Sequence, residues 1–148
     1  MPRDIIIHPN PLLVKMIDPV TDFSPDHLNP LISDIIETIR EHKAYGLAAN
    51  QIGIDQRILG VMMADNSISI FINPEITSAS YKQTMGNEAC LSLPGMTASI
   101  SRPVNTAFSY YCMKDGKVKK TQLAGLRSRI FNHEMDHLNG ILISHYIK

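Results

Sequence analysis

Cysteine is scarce in this chain: only Cys90 and Cys112 occur among 148 residues. Two thiols exclude a disulfide framework and point to a reducing compartment, which makes the cytoplasm the expected location. In that setting a cysteine beside chemistry-bearing motifs reads first as a metal ligand or a nucleophile. An excess of one charge is missing too. The 14 Lys and Arg balance 14 Asp and Glu, for a formal net charge of +0. That balance gives no support to direct nucleic-acid binding or to an anionic membrane surface. No apolar run approaches the roughly 20 residues that span a bilayer, and the Ile5-Ile6-Ile7 triplet is too short for a signal-peptide core. There is no internal repeat, low-complexity tract or linker, so one domain over residues 1–148 is the simplest partition. With 44% hydrophobic and 19% charged residues, the composition is that of a globular protein. A domain of this size buries roughly 70% of its unfolded surface.

The periodicities divide the chain into helices and strands. Ser24-Pro25-Asp26 is a helix start, with Ser24 as cap and Pro25 in the first turn. Leu28, Leu31, Ile32, Ile35, Ile36 and Ile39 follow at helical spacing, and the helix is expected to end near Lys43. Strands are expected at Arg57–Met63, Ile68–Ile72, Ala98–Ser101 and Val104–Met113. Asp115-Gly116 predicts a hairpin joining Tyr110–Met113 to Lys117–Thr121. A second helix is expected from Leu126 to Leu138, closed by Asn139-Gly140. Alternation over Ile141–Ile147 looks like a terminal strand. Strands clustered between two helices, without strand–helix alternation, indicate an α+β fold with a largely antiparallel sheet.

His133-Glu134-Met135-Asp136-His137 carries the most chemistry. Residues four apart on a helix lie one above the other, so both imidazoles can reach one metal ion, and Glu134 can act as general base on a water held there. A catalytic site of this kind usually has three protein ligands. The longer peptidase pattern HExxHxxGxxH finds Gly140 at its glycine but Ile143 at its third histidine. No Asp or Glu follows Asp136, and His145 is the one downstream candidate. The third ligand is therefore expected upstream.

Upstream stands Asn87-Glu88-Ala89-Cys90-Leu91-Ser92-Leu93-Pro94-Gly95. With the HExxH segment it resembles the signature of the peptide deformylase family, in which EGCLS carries a cysteine ligand and HExDH two histidines. Gly46-Leu47-Ala48-Ala49-Asn50-Gln51 resembles the family's remaining motif, GxGxAAxQ, and the three occur in family order. Ala44 and Ala89 stand where the family has glycine, and Thr97 where many bacterial relatives have arginine. With eleven residues after His137, the chain resembles short forms found in phages, which lack the C-terminal helix of typical bacterial forms. Ribosome docking through that helix is not expected.

The resemblance implies a fold of antiparallel strands around a central HExxH helix. It implies hydrolysis of the formamide on the N-terminal formyl-methionine of nascent polypeptides. Cys90, His133 and His137 would hold Fe2+, although thiolate and imidazole also suit Zn2+, and Ni2+ or Co2+ fit the same donors. Glu134 would be the general acid–base. The Gln51 side-chain amide and the Leu91 backbone N–H would face the oxygen that becomes negative. Gly46 would let the substrate backbone pair alongside as an added strand. Helical geometry puts Leu126, Arg129 and Ile130 on the face of His133, so they should line the methionine pocket. The Arg129 head is expected at the pocket rim, where it would favour Asp or Glu after the methionine. Two other readings are an HExxH endopeptidase, which lacks its downstream ligand, and a binder that has lost turnover, suggested by Ala44, Ala89 and Thr97.

Overall fold

A computed structural model describes residues 1–147. Helix α1 spans Pro25–Glu41 and helix α2 Leu126–Leu138. Between them lie β1 (Gly46–Ala48), β2 (Ile58–Met62), β3 (Ile68–Ala79), β4 (Gln83–Cys90), β5 (Leu93–Pro103), β6 (Asn105–Cys112) and β7 (Lys117–Ala124). Five strands form an antiparallel sheet in the order β1-β2-β3-β6-β7, while β4 and β5 pair as a separate antiparallel ribbon. This is the α+β architecture expected from the sequence.

Period-two alternation lets the larger sheet carry a helix on each face. Leu47, Ile58 and Ile72 point toward Leu28, Ile35 and Ile39 of α1. Their neighbours Ala48, Leu59, Val61 and Phe71 point the other way, toward Ile130, Phe131, Met135 and Leu138 of α2. The Phe131 ring stacks on Phe108 with centroids 3.9 Å apart and meets Phe71 edge-on at 6.0 Å. A third cluster joins Cys90, Leu93, Ala98 and Ile100 of the ribbon to Leu13, Leu142 and Ile143. Helix α2 thus sits between the sheet and the ribbon, the place where groups from both can meet.

The C-terminal end of each helix is chemically specified, whereas the Ser24 side chain expected to cap α1 makes no cap bond. Arg57 donates to the carbonyl of Leu138 at 2.9 Å and to Asn139 Oδ1 at 3.0 Å, a cation at the negative end of α2. At the end of α1, the Ala44 N–H reaches back to the Ile39 carbonyl (2.9 Å) and the Lys43 N–H to that of Arg40 (3.2 Å). This paired closure needs a left-handed residue, and Lys43 supplies it with φ of 50°.

Some elements differ from the sequence reading. The strand over Ala98–Ser101 is part of the longer β5, and its partner β4 and the short β1 had no clear periodic signal. Ile141–Ile147 is not a strand: Ile143–Tyr146 forms a 3-10 turn. The Leu142 N–H is taken by His145 Nδ1 at 3.1 Å and Tyr146 turns back onto Asp136, so side-chain bonds replace a ladder.

Because Phe131 is fully buried in aromatic contact, Phe131→Ala should lower stability by about 3–5 kcal/mol. Denaturant unfolding would show this as a lower midpoint with an unchanged slope. A loss below about 1 kcal/mol would mean that the helix–sheet contact is not what seats α2.

Candidate active site

The ribbon and α2 bring three potential ligands together. The side-chain donor atoms of Cys90, His133 and His137 all lie within 4.8 Å of one another, and Cys90 Sγ is 3.2 Å from His137 Nε2. Cys90 closes β4, where a register shift between Ala89 and Cys90 breaks the ladder and re-aims the thiol. The two histidines stand one turn apart on α2, as their spacing requires. His145, the downstream alternative, is occupied with the Leu142 backbone.

Electrostatics fit this donor set to a cation. Burial drives the His137 imidazole well below its ordinary pKa, which keeps it neutral, the form that ligates metals. Burial also pulls His133 down, but Glu134, Cys90 and Glu88 outweigh it and raise that imidazole to about 10. The negative field that favours a proton there equally favours a metal ion. His133 Nδ1 faces Glu88 Oε1 at 2.8 Å, which orients the ring and leaves Nε2 for the cluster.

Glu134 is buried, and its Oε1 has no hydrogen-bond partner. Burial raises its carboxyl to about 7, where both protonation states are populated. Gln51 is also buried, not a surface amide. Its Oε1 accepts from the Ala48 N–H at 3.0 Å, which aims the NH2 end at Ser92 Oγ (3.2 Å) and Cys90 Sγ (3.6 Å). Gly46 is tightly enclosed: a Cβ there would stand 2.6 Å from Ile130 Cγ2 and 3.0 Å from Glu134 Oε2. Only glycine lets β1 approach α2 this closely.

A cavity of about 440 Å³ opens onto these groups. Gly46, Gln51, Leu91, Leu126, Arg129 and Ile130 line it, together with Cys90, His133 and Glu134. The sequence reading brought these residues to one place, but the Arg129 head is not free at a rim. It donates to Glu88 Oε2 (2.6 Å), the Ile100 carbonyl (2.9 Å) and the Thr84 carbonyl (2.7 Å). The guanidinium lies over Gly86, where a Cβ would come within 2.9 Å of its Cζ. A cation this close to a buried carboxylate pairs with it, because leaving either bare costs several kcal/mol.

The sequence reading missed the support behind His133. Arg102 donates to both Glu88 oxygens, Nε at 3.0 Å and Nη2 at 2.9 Å, and to Asp136 Oδ2 at 2.6 Å. The Tyr146 hydroxyl donates to the same Asp136 oxygen at 2.6 Å, and its ring lies 5.1 Å from the Arg102 guanidinium. Burial would raise Glu88, yet His133 and Arg102 hold its carboxyl at about 2. The available signal was strand alternation: Ala98, Ile100 and Arg102 face inward in turn, which makes an inward arginine in need of a carboxylate.

A buried carboxyl beside three clustered metal-binding side chains, on the floor of a largely apolar cavity, is the equipment of a metal-assisted hydrolase. Comparison with known proteins narrows the class. A sequence model of the polypeptide deformylase family matches residues 2–148. The chain is 35% identical to the peptide deformylase of Brucella suis biovar 1 over 149 residues, 98% of this chain and 84% of that protein. It is 40% identical to that of Thermotoga neapolitana over 139 residues, 94% of this chain and 83% of the relative. Among solved structures, the Met-Ala-Ser-bound class I type b peptide deformylase from Acinetobacter baumannii superposes with a TM-score of 0.92. Its identity is 26%, over 99% of both chains. Peptide deformylase from Thermotoga maritima gives a TM-score of 0.91 at 34% identity, over 98% of this chain and 97% of that one. The chain belongs to the polypeptide deformylase family. It is a hydrolase that removes the N-formyl group from newly made polypeptides.

Arg102→Met should cost about 3–5 kcal/mol, because it removes the cation that bridges the buried Glu88 and the partly buried Asp136. Thermal or denaturant unfolding measures this directly. A nearly neutral substitution would show that Arg129 and His133 satisfy Glu88 unaided.

Proposed function

We propose that deformylation takes place at Cys90, His133 and His137, with Fe2+ as resident ion. Zn2+, Ni2+ and Co2+ suit the same thiolate and imidazole donors. The observation that carries this reading is the convergence of those three donors within 4.8 Å beside the buried Glu134. When bound, the ion supplies Lewis acidity and makes water a competent nucleophile at neutral pH.

The chain's own residues do the rest. Glu134 accepts a proton from the attacking water and returns it to the departing amine, so that the formyl C–N bond breaks and formate leaves. Burial suits it to this exchange, since it holds the carboxyl near neutrality. The Gln51 NH2, aimed by the Ala48 N–H, and the Leu91 backbone N–H donate to the formyl oxygen as charge develops there. Gly46 lets the peptide lie beside β1, and the side chains of Leu126 and Ile130 receive the methionine. The Acinetobacter baumannii relative has been solved with the methionine-first tripeptide Met-Ala-Ser bound, which fits a site that takes methionyl peptides. Neither Ala44, in the turn after α1, nor Ala89, within β4, has a positive φ, so an alanine Cβ strains the backbone at neither place, which favours turnover over a purely binding role. The reaction runs in the cytoplasm on nascent chains and needs no ribosome contact for its chemistry. No helix among the described residues is long and apolar enough to cross a membrane.

Purified chain should deformylate a formyl-methionyl peptide without any added partner and leave an unblocked peptide intact. Cleavage of internal peptide bonds, or a need for ribosomes, would overturn the reading. Glu134→Gln should keep its metal and lose roughly 10²–10⁴ in turnover, as metal analysis beside a single-turnover assay would show. Cys90→Ala should lose most of its metal, and full occupancy in that variant would reassign the thiol. Elemental analysis of protein purified without air should find iron.

A further inference from the structure

We propose that Lys43 is a specificity-determining residue that favours formylated peptides with a carboxylate side chain at their second or third position. The proposal rests on the deformylase reading of the cavity. Lys43 follows α1 in the turn that leads to β1, and the cavity wall includes His42, Lys43, Ala44 and Tyr45 as well as Gly46. Its φ of 50° is the left-handed conformation that glycine adopts without strain. A lysine therefore occupies the place where the backbone itself would choose glycine.

The charges lining the cavity leave Lys43 as its exposed cation. Glu88 is committed to Arg102, Arg129 and His133. Arg129 is spent on Glu88 and two backbone carbonyls. Glu134 lies buried beside the donor cluster. Among the described residues, no carboxylate lies within ion-pair distance of Lys43. A peptide paired along β1, with its methionine toward Leu126 and Ile130, carries its following residues past this turn at about 3.3 Å each. The flexible four-carbon stem of lysine then meets an acidic side chain one or two residues beyond the methionine.

The test compares kcat/KM of the metal-loaded enzyme for C-terminally amidated formyl-methionyl peptides carrying Asp or Glu, Asn or Gln, or Lys at those positions. Wild type should favour the acidic peptides over their amide isosteres by about two- to fivefold, the span of an exposed ion pair, and less so in high salt. Lys43→Gly should abolish the preference while raising the melting temperature, because glycine relieves the left-handed turn. Lys43→Glu should invert the preference toward lysine-containing peptides. An unchanged ranking in Lys43→Gly overturns the proposal. So does a preference that appears only when the peptide ends in a free carboxylate. Failure of wild type to turn over the neutral amidated peptide would instead overturn the deformylase reading beneath it.

Discussion

Glu88 is the carboxylate on which the site depends. It receives two bonds from Arg102, one from Arg129 and one contact from His133 Nδ1. Those four contacts tie β4 to β5 and both strands to α2. A buried network of this kind is weak evidence for net stability, since desolvating the ions offsets much of their attraction. Its physical contribution is orientation. With Nδ1 held against Glu88, the His133 ring can present only Nε2 to the cluster, and a histidine ligand fixed from behind keeps its tautomer and its angle. Asp136 and Tyr146 extend the same restraint to the chain beyond α2, so the last described turn buttresses the site.

Strand periodicity explains how one ribbon delivers so many of these parts. Gly86 and Glu88 stand two positions apart on β4 and so share a face, and Cys90, after the irregularity at Ala89, is buried as Glu88 is. Gly86 admits the Arg129 guanidinium, Glu88 binds it, and Cys90 joins the histidines. Opposite them, Ala98 and Ile100 pack inward and Arg102 continues the series with a charge. A one-residue slip would turn all of them outward together. The irregularity between Ala89 and Cys90 therefore falls where it does least harm, after Glu88 is placed and where the thiol must leave the ladder.

The sequence was most readable where the chemistry is local. The i, i+4 histidines, the apolar stripe of α1, the Asp115-Gly116 hairpin and the Asn139-Gly140 stop each depend on neighbours within a few residues. All appear in the structure near the expected positions. The pairing of Arg102 with Glu88, 14 residues away, and with Asp136, 34 residues away, depends on register and layer packing. Arg129 shows the consequence. Helical spacing correctly set it on the cavity side of α2, but the partner for its charge came from another element, and its head is bound there instead of standing free at the rim. Ile141–Ile147 failed for a related reason: alternation of apolar residues was present, but side-chain bonds closed the segment into a turn.

The helix that carries the histidines is held by two independent means, and this separation clarifies which changes the fold tolerates. Phe131, Met135 and Leu138 set the depth of α2 against the sheet through close apolar packing. The Glu88 network sets its relation to the ribbon through directional bonds. Neither means relies on the turn at Lys43 or on the exposed side of the cavity mouth, where Tyr45 and Leu126 remain largely in water. Substitution at the mouth therefore changes what the cavity admits with little cost to packing. Substitution at Gly46 must move a helix or displace Glu134, because a Cβ there has no vacant space to enter. The cavity mouth can thus vary in this fold while the donor cluster and the buried Glu134 carboxyl stay in place.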